Sequence, residues 1–370
     1  MIGILVDKMT IVKTRRGEPT YERLDLYRDI ALSEGIELIV FSLGRVSLRR
    51  HRVTGYIPLA GPEDWQRETV SIPKVIHKRV LYQTSAPFRI LRRLERRGVV
   101  FVNPYLIQNK MLMNSTLSRH PSINPHIPTT WRYNWLRLEK MLHRGEAVIL
   151  KPTVGSVGQG IIRLLPLAAA NGNGGQNGWS AAVQITTERG SRIITSPTLL
   201  RRYLRAWMKT MSRKYLMQPY LPLARYQDKP FDLRVPVQRD GRGEWTVAGM
   251  VAKVAEKHQF LTNLAQGGRA MPGEKALAAA FGPPAAEAVQ EKIVRLAKDV
   301  AEAVAGRYPH AADLGLDIGV DITGHPWLIE VNTRDQRITF FQAGMYDTLR
   351  TIYKNPVAYC AYLSSRLTTS

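Results

Sequence analysis

The chain has 370 residues, which suffices for two or three domains that each bury their own core. A content of 44% hydrophobic and 22% charged residues is typical of a folded globular protein. The opening MIGILVDKMT lacks the basic segment and apolar run of a signal peptide, and no later stretch approaches the ~18 apolar residues of a membrane span, so we expect a cytoplasmic protein without membrane insertion. The single cysteine, Cys360, excludes an intrachain disulfide and a thiolate zinc cluster.

The charge balance is strongly basic, with 53 Lys and Arg against 30 Asp and Glu and a formal net charge of +23, which favours an anionic partner. The densest basic clusters, residues 45–52, 89–97 and 189–214, alternate with apolar residues as amphipathic helices do. No zinc-finger, RNA-recognition or basic-zipper pattern accompanies them, so nucleic acid ranks below a phosphorylated ligand or an acidic molecule.

Residues 1–105 alternate short apolar runs with helical patterns. Strands are predicted at IGILV, IELIVFSL, KVIHKRV and GVVFVN, and helices over 20–34 and 86–97. This alternation predicts an open α/β sheet.

A second, α+β unit is predicted over residues 106–215. It begins with a helix that carries Lys110, followed by the start of a strand at HIPTTW, a helix over 134–144 and a hairpin at AVILKP. The polar stretch NGNGGQNG is predicted to be a flexible surface loop. Two strands, AAVQIT and SRIITS, and a basic helix over 197–211 complete this unit.

A third, larger α+β unit is predicted over residues 216–370. It starts at YLMQPYLP and contains a hairpin turned at Asp240 and Gly241. A helix with apolar residues from Val289 to Val304 is predicted to end at Gly306. Two further strands, LDIGVDI and WLIEVN, are predicted around the turn TGHP.

The stretch VILKPTVGSVGQGIIRL places Lys151 at the end of a strand, before Gly155, Gly158 and Gly160. Glycines beside a cation are typical of anion sites, because backbone N–H groups can then approach phosphate oxygens. The lysine precedes the glycines, unlike in a Walker loop, and a strand follows them, unlike in the dinucleotide fingerprint. Two interpretations remain: a hairpin that folds over a nucleotide, and an ordinary glycine-rich hairpin.

Asp317, Glu330 and Asn332 are three oxygen donors on the two strands around the TGHP turn. Glu330 and Asn332 are two apart on one face of a strand, and the turn would pair Asp317 with them. Such donors, without histidine or cysteine, suit Mg²⁺ and also admit Mn²⁺. The alternative is a pair of exposed strand residues, but the preceding WLI favours a buried strand that ends in a cavity, where charge needs compensation.

Five motifs in the same order resemble the ATP-grasp superfamily: LKPTVGSVGQG, LMQPYL, DLRV, FLTNLAQGG and LDIGVDITGHPWLIEVN. GILVD and VFVNPYLIQNKMLMNSTL resemble its YheC/YheD group, which is associated with endospore coats. The resemblance spans nearly the whole chain. It implies an N-terminal pre-ATP-grasp α/β domain (1–105), a small central lid domain (106–215) and a C-terminal antiparallel-sheet domain with a metal site (216–370).

The resemblance also implies ATP bound between the central and C-terminal domains, with the glycine hairpin as a lid over its phosphates. The residues that it assigns to ATP are Lys110, Lys151, Gly155, Ser156, Gly158, Gly160, Gln218, Pro219, Tyr220 and Leu221. Backbone groups of the last four would contact the adenine edge. Gln218 stands where many members carry glutamate, so the ribose contact stays open.

For the chemistry, the resemblance matches Arg234 and Asn263 to positions that hold the transferred phosphoryl group or the acceptor carboxylate. Lys253 is expected to act as a second cation, and Asp232 to orient Arg234.

Asp317, Glu330 and Asn332 match the metal ligands of the superfamily, whereas Asp321 is expected to start the turn. Where relatives often continue EVNSKPG, this chain has EVNTRDQR, so the loop that shapes the acceptor pocket differs and a degenerate enzyme stays open as an alternative.

These matches lead to the expectation of an ATP- and Mg²⁺-dependent carboxylate–amine (or thiol) ligase that acts through an acylphosphate. The net charge favours an acidic peptide or amino acid as the substrate, and the resemblance adds a link to the spore coat and its proteins. Two other functions stay open: a nucleotide-binding coat or assembly protein without turnover, and a protein that binds an anionic polymer.

Overall fold

The structure, a computed structural model, describes residues 1–61, 64–82, 84–104, 110–153, 159–167, 182–211, 214–256, 262, 264 and 267–369, with the backbone alone at 110, 111, 368 and 369. Within this part of the chain, three β-sheets follow one another. None of the helices found there combines the length and the apolarity that a membrane span requires.

The first sheet is the open α/β sheet that the sequence predicts. Its strands are β1 (Ile2–Leu5), β2 (Leu38–Phe41), β3 (Val46–Ser47), β4 (Arg52–Pro58), β5 (Trp65–Ser71), β6 (Val75–Lys78) and β7 (Val100–Val102), and its helices are α1 (Lys8–Arg15), α2 (Leu24–Glu34) and α3 (Ser85–Glu95). β1 pairs in parallel with β2 and β6, and β6 with β7. The four predicted strands and two predicted helices are confirmed, whereas the antiparallel edge of β3, β4 and β5 was not predicted.

The second sheet is antiparallel throughout. After helix α4 (Lys110–Leu117) come β8 (Trp131–Arg132), α5 (Trp135–His143), β9 (Val148–Pro152), β10 (Ile162–Pro166), β11 (Val183–Thr187), β12 (Gly190–Ile194), α6 (Pro197–Thr210) and β13 (Tyr215–Pro219). The strand order is β12-β11-β10-β9-β13-β8. β13 runs past the expected boundary at residue 215, because it pairs with β9 along its whole length. The predicted NGNGGQNG loop lies outside the described residues.

The third sheet is also antiparallel. Its strands are β14 (Arg225–Tyr226), β15 (Lys229–Arg239), β16 (Trp245–Val247), β17 (Val251–Val254), β18 (Arg269–Pro272), β19 (Asp313–Val320) and β20 (Pro326–Asn332), accompanied by α7 (Gly273–Phe281), α8 (Pro283–Arg307), α9 (Ile338–Gln342) and α10 (Tyr346–Thr369). β15 lies at its centre, between β17 and β19. The predicted end of α8 at Gly306 is wrong by one residue, since Gly306 lacks the positive φ of a C-cap glycine.

The C-terminal helix α10 packs against both the first and the third sheet. Tyr353, Val357 and Cys360 are buried in one cluster with Ile4 and Val75 of the first sheet and Val251 of the third. The third sheet also packs on α8, and the second sheet forms a separate core with α5 and α6. The two ends of the chain are therefore joined in one hydrophobic core.

A buried ionic network joins the first and third sheets at Asp313, the first residue of β19. One Asp313 oxygen accepts hydrogen bonds from Arg79, which follows β6, and from Arg337, each at 2.7 Å, and the other accepts from Gln238 at 2.7 Å. Glu22 accepts a second bond from Arg79, at 2.8 Å. Burial alone would raise the pKa of Asp313, but Arg337 and Arg79 outweigh it and hold the pKa well below its usual range.

Asn103 reinforces this junction from the end of β7. Its φ of 55° lies in the left-handed region, which asparagine tolerates better than most residues. Its Oδ1 accepts from the N–H groups of Ala312 and Asp313, and its Nδ2 donates to the carbonyls of Asp313 and Thr333. One buried side chain thus satisfies four backbone groups of the third sheet.

We expect Asn103→Ala to lower the free energy of unfolding by roughly 2–3 kcal/mol, because it leaves these backbone groups buried without partners. Urea unfolding followed by circular dichroism measures the change. Asn124→Ala is the matched control, since Asn124 is exposed and should change stability by less than ~0.5 kcal/mol. Equal losses in the two variants would contradict the role of Asn103.

Candidate active site between the second and third sheets

A cavity of about 680 Å³ opens between the second and third sheets and extends to Leu81, which follows the last residue of β6 by three positions. The polar or hinge residues that line it are Lys151, Gln218, Pro219, Tyr220 and Leu221 from the second sheet and its exit, and Asp232, Arg234, Lys253, Asp317, Glu330 and Asn332 from the third. Most of the residues that the sequence predicts for the site are therefore brought together.

Strand register explains why the charged residues meet. Arg234 on β15 is paired with Asp317 on β19, and Asp317 is paired in turn with Glu330 on β20. On the other side of β15, Asp232 is paired with Lys253 on β17. Because cross-strand partners point to the same face of a sheet, these five side chains form one charged surface over the cavity.

Asp317 lies at the centre of this surface. Its Oδ1 accepts a hydrogen bond from Lys253 at 2.7 Å and lies 3.3 Å from a terminal nitrogen of Arg234. Its Oδ2 accepts from the Asn332 amide at 3.2 Å. Burial would raise the pKa of Asp317, but Arg234 and Lys253 outweigh it and lower the pKa, so the carboxylate stays ionised.

Lys253 bridges two carboxylates, because it also lies 3.2 Å from Oδ1 of Asp232. Burial opposes its charged form, yet Asp232 and Asp317 raise its pKa above the usual value. Burial raises the pKa of Asp232 despite the neighbouring ammonium. Asp232 forms its ion pair with Lys253 and not with Arg234, while its charge still contributes to raising the pKa of Arg234.

Arg234 is instead held by Asp335, which the sequence reasoning missed. Nε of Arg234 lies 3.5 Å from Oδ1 of Asp335, a fully buried residue of the EVNTRDQR segment. A side chain at Gly315 would clash with the Asp335 carboxylate, so only glycine fits there. Nε and one terminal nitrogen of Arg234 are buried and face Asp335 and Asp317 without a hydrogen bond of good geometry to any described residue. Arg234 also lines the cavity, so an anionic ligand there can approach its guanidinium.

At the predicted adenine hinge, some side-chain and backbone groups already have hydrogen-bond partners within the protein and others do not. The Gln218 amide donates to the Thr130 hydroxyl at 2.7 Å, so this side chain is held by the second sheet. The N–H of Tyr220 donates to the carbonyl of Ala147 at 2.8 Å and is not available to a ligand. The N–H of Leu221 donates to no other described residue, and Leu221 lines the cavity.

The predicted lid is described only in part. Lys151 on β9 lines the cavity opposite the charged surface of the third sheet. Gly160 has a φ of +75°, and its N–H donates to the Glu188 carboxylate at 3.2 Å, so its place is in the turn before β10. Gly155, Ser156, Gly158, Asn263 and the side chain of Lys110 lie outside the described residues.

The oxygen donors over the cavity fit a hard cation. Within the described part of the chain, no three His, Cys, Asp or Glu side chains are placed to hold a metal, so an ion here would use Asp317, Glu330 and the Asn332 amide. The amide now turns its nitrogen to Asp317, and metal binding requires it to present its oxygen instead. Asp321 begins the turn as expected, accepting from the N–H groups of Thr323 and His325.

The bridging role of Lys253 can be tested by measuring protein stability. We expect Lys253→Met to lower the free energy of unfolding by roughly 3–5 kcal/mol, because it leaves the buried Asp232 without its cation and Asp317 with Arg234 alone. Adding Asp232→Asn should restore part of the loss, giving a coupling energy above ~1 kcal/mol in a double-mutant cycle measured by urea unfolding.

The control is the half-exposed ion pair of Lys354 and Glu34, in which Lys354→Met should cost less than ~1 kcal/mol. Strictly additive effects of the Lys253 and Asp232 substitutions would show that the bridge does not exist in solution.

Comparison with known proteins agrees with this geometry. A sequence model of the YheC/D-like ATP-grasp family matches residues 98–363. The endospore coat-associated protein YheC of Bacillus subtilis (strain 168) is 25% identical over 339 residues, covering 90% of this chain and 89% of that protein. The endospore coat-associated protein YheD of the same organism is 24% identical over 319 residues, covering 83% of this chain and 66% of that protein.

Among solved structures, the C-terminal domain of K. lactis Pby1, an ATP-grasp enzyme interacting with the mRNA decapping enzyme Dcp2, superposes with a TM-score of 0.52 at 14% identity, over 99% of this chain and 94% of that chain. At this identity the likeness concerns the fold alone. Since the family match spans the second and third sheets and the cavity between them, the chain has the ATP-grasp fold and belongs to the YheC/D-like ATP-grasp family.

Proposed function

We propose that the protein is an ATP- and Mg²⁺-dependent ligase that joins a carboxylate to an amine or a thiol. The observation that supports this most directly is the row of Arg234, Asp317 and Glu330 on neighbouring strands, which faces the same cavity as Lys151 of the second sheet. Cations and carboxylates on opposite walls of one cavity suit a polyphosphate accompanied by a metal ion.

For the nucleotide, we propose that the adenine lies against residues 218–221, with the Leu221 N–H as its hydrogen-bond donor. The phosphates would then extend toward Lys151, with Lys110 as a second cation. The glycine hairpin with Gly155, Ser156 and Gly158 would close over them, since its backbone N–H groups suit phosphate oxygens. The cytoplasm, where ATP is abundant, is the proposed location.

For the metal, we propose that Asp317, Glu330 and Asn332 hold one Mg²⁺, or Mn²⁺ in its place. When bound, the ion would neutralise negative charge on the phosphate oxygens. The chain's own cations act alongside: Arg234, which lines the cavity, offers its guanidinium to a carboxylate or phosphoryl group, and Lys253 adds a positive charge 2.7 Å from Asp317.

The proposed reaction has two steps. The substrate carboxylate attacks the γ-phosphorus of ATP, forming an acylphosphate and releasing ADP. The amine or thiol then attacks the acyl carbon, and phosphate leaves with the proton balance met by solvent. No protein nucleophile is needed, because Arg234, Lys253 and Asn263 position the reactants and stabilise charge.

Both curated relatives are named endospore coat-associated, and we extend that setting to this chain as part of the proposal. The substrate would be an acidic peptide or amino acid, in keeping with the +23 net charge, and coat proteins would be further partners. A nucleotide-binding coat or assembly protein without turnover is the alternative if the EVNTRDQR segment has lost the acceptor pocket.

A second function, binding of an anionic polymer, is favoured by where the charge lies. Residues 131–214 contain fourteen Lys or Arg and three Glu, whereas residues 215–370 contain eighteen Lys or Arg and sixteen Asp or Glu. In the second sheet region, Arg192 and Arg201 stack on Tyr203 and Trp135 rather than pairing with carboxylates. A gel shift titrated against salt distinguishes this function, since counterion release makes polymer binding strongly salt-dependent.

We expect millimolar ATP with Mg²⁺ to raise the midpoint of thermal unfolding, because a ligand that binds only the folded state stabilises it. Lys151→Met should reduce the shift, because it removes a cation that lines the cavity. An unchanged midpoint in the wild-type protein would overturn the nucleotide site, and with it the ligase.

We expect Glu330→Gln to abolish the Mg²⁺-dependent part of this stabilisation and ADP formation with acids and amines, while the fold stays intact, since the change removes a charge but little volume. Glu302→Gln, on the exposed face of α8, is the matched control and should behave as wild type. Full Mg²⁺ dependence in Glu330→Gln would remove Glu330 from the metal site.

A further inference from the structure

Two cations near the first sheet, Lys78 and Arg334, form no ion pair with any described residue. Arg334 lines the cavity, whereas Lys78 is buried outside its lining. Lys78 is the last residue of β6, beside the last residue of the parallel strand β1. Arg334 belongs to the EVNTRDQR segment and lines the cavity together with Leu81. In open α/β sheets, ligands bind outside the carboxyl ends of the strands, and both cations lie at this edge.

Lys78 is buried without a carboxylate. Its side chain is 2% exposed, and its ammonium donates to the Val80 carbonyl at 3.1 Å, with no Asp or Glu oxygen of the described residues within 4.0 Å. Burial, together with repulsion from Arg334 and Arg79, lowers its pKa to about 8. A buried ammonium with two unused donors is costly unless a partner arrives.

Arg334 also lacks a carboxylate partner among the described residues. Its guanidinium lies over the Tyr21 ring, 4.4 Å from the centroid, and no carboxylate of the described residues comes within ion-pair distance. Burial lowers the pKa of Arg334, and Tyr21 and Glu22 offset only part of that effect. Stacking on a ring leaves the N–H edge of a guanidinium open to bind an oxyanion.

The nearby acids are engaged elsewhere, in whole or in part. The Asp7 oxygens accept from the backbone and hydroxyl of Thr10 and from the Tyr21 hydroxyl. Oε1 of Glu22 is paired with Arg79, while its Oε2 has no hydrogen bond to a described residue. Neither acid lies within 4.0 Å of the charged nitrogens of Lys78 or Arg334.

The segment that carries Arg334 is held rigidly. Thr333, Asp335 and Arg337 are buried in the junction with the first sheet, whereas the alternate residues Arg334 and Gln336 line the cavity. Arg337 is fixed by Asp313, and the Asp335 carbonyl accepts from Arg79 at 2.7 Å. Such support preorganises a binding residue and lowers the entropic cost of using it.

We propose that Arg334, supported by the positive charge of the buried Lys78, binds a carboxylate group of the non-nucleotide substrate, one that does not react. This inference rests on the proposed function, in which the reacting carboxylate of the substrate lies at Arg234 in the same cavity. The ligand class is then a molecule with at least two carboxylates. Lys78 and Arg334 would be specificity-determining residues, and neither matches a position that the sequence motifs assign.

Direct binding without turnover tests this site, with citrate as a carboxylate probe and inorganic phosphate as the alternative anion. Thermal shift and titration calorimetry are run without Mg²⁺, at constant ionic strength, and with ADP present to fill the nucleotide site. Citrate should bind roughly ten- to a hundredfold more weakly to Arg334→Gln and Lys78→Met than to wild type, as expected for losing a charge-assisted hydrogen bond at Arg334 or the supporting charge of Lys78. Arg307→Gln, which removes an exposed guanidinium stacked on Tyr308, is the matched control and should bind as wild type.

Three outcomes would overturn the proposal: no citrate binding to wild type, equal binding to wild type and both variants, or binding of phosphate in place of citrate at the same residues. The ADP shift reports on the nucleotide site by itself, so failure of the proposed function and failure of this inference are distinguishable.

Stability gives an independent readout. Without any anion, Lys78→Met should raise the midpoint of thermal unfolding, because methionine fills the buried space without an unpaired charge. A structural lysine would behave in the opposite way. A large fall in the midpoint, with citrate binding retained in Arg334→Gln, would assign both residues to the fold alone.

Discussion

The structure depends on one buried carboxylate, Asp313, which the first and third sheets share. Arg79 reaches it from the end of β6 and Arg337 from the segment after β20, and each approaches the same oxygen at 2.7 Å. Two guanidinium groups around one acid fix the distance between two sheets that are far apart in sequence. Because this distance is fixed, the end of the first sheet has a defined position beside the cavity that lies between the second and third sheets.

The contacts of Asp313 with Arg79 and Arg337 also help to position the charged groups that face the cavity. Asp335 lies between these contacts and Arg234, so the guanidinium over the cavity is connected through one residue to the junction of the sheets. On the third sheet itself, cross-strand pairing brings cations and carboxylates into alternation without any loop. Groups placed on paired strands are held more precisely than groups on loops, which suits chemistry that works by positioning.

Short-range pattern was enough to predict most strands and most helices, though not β3, β4 and β5, and the two residues Glu330 and Asn332, spaced two apart, do line the cavity together with Asp317. Long-range partners were not predictable in the same way. Nothing local indicates that Asp232 pairs with Lys253, or that Asp335 pairs with Arg234, because both pairings follow from the strand register and the loop path. The packing of α10 on the first sheet was likewise not predictable from local sequence, since the pattern of an amphipathic helix does not indicate which sheet the helix covers.

The position of α10 also constrains how the molecule is made. Ile4 and Val75 share a core with Tyr353 and Val357, so the first sheet emerges from the ribosome hundreds of residues before the helix that covers it. Helix α2 covers part of the apolar face of this sheet, and the rest stays uncovered until residues 346–369 are synthesised. Nascent chains interrupted before residue 346 would therefore display a hydrophobic surface that quality-control systems can recognise.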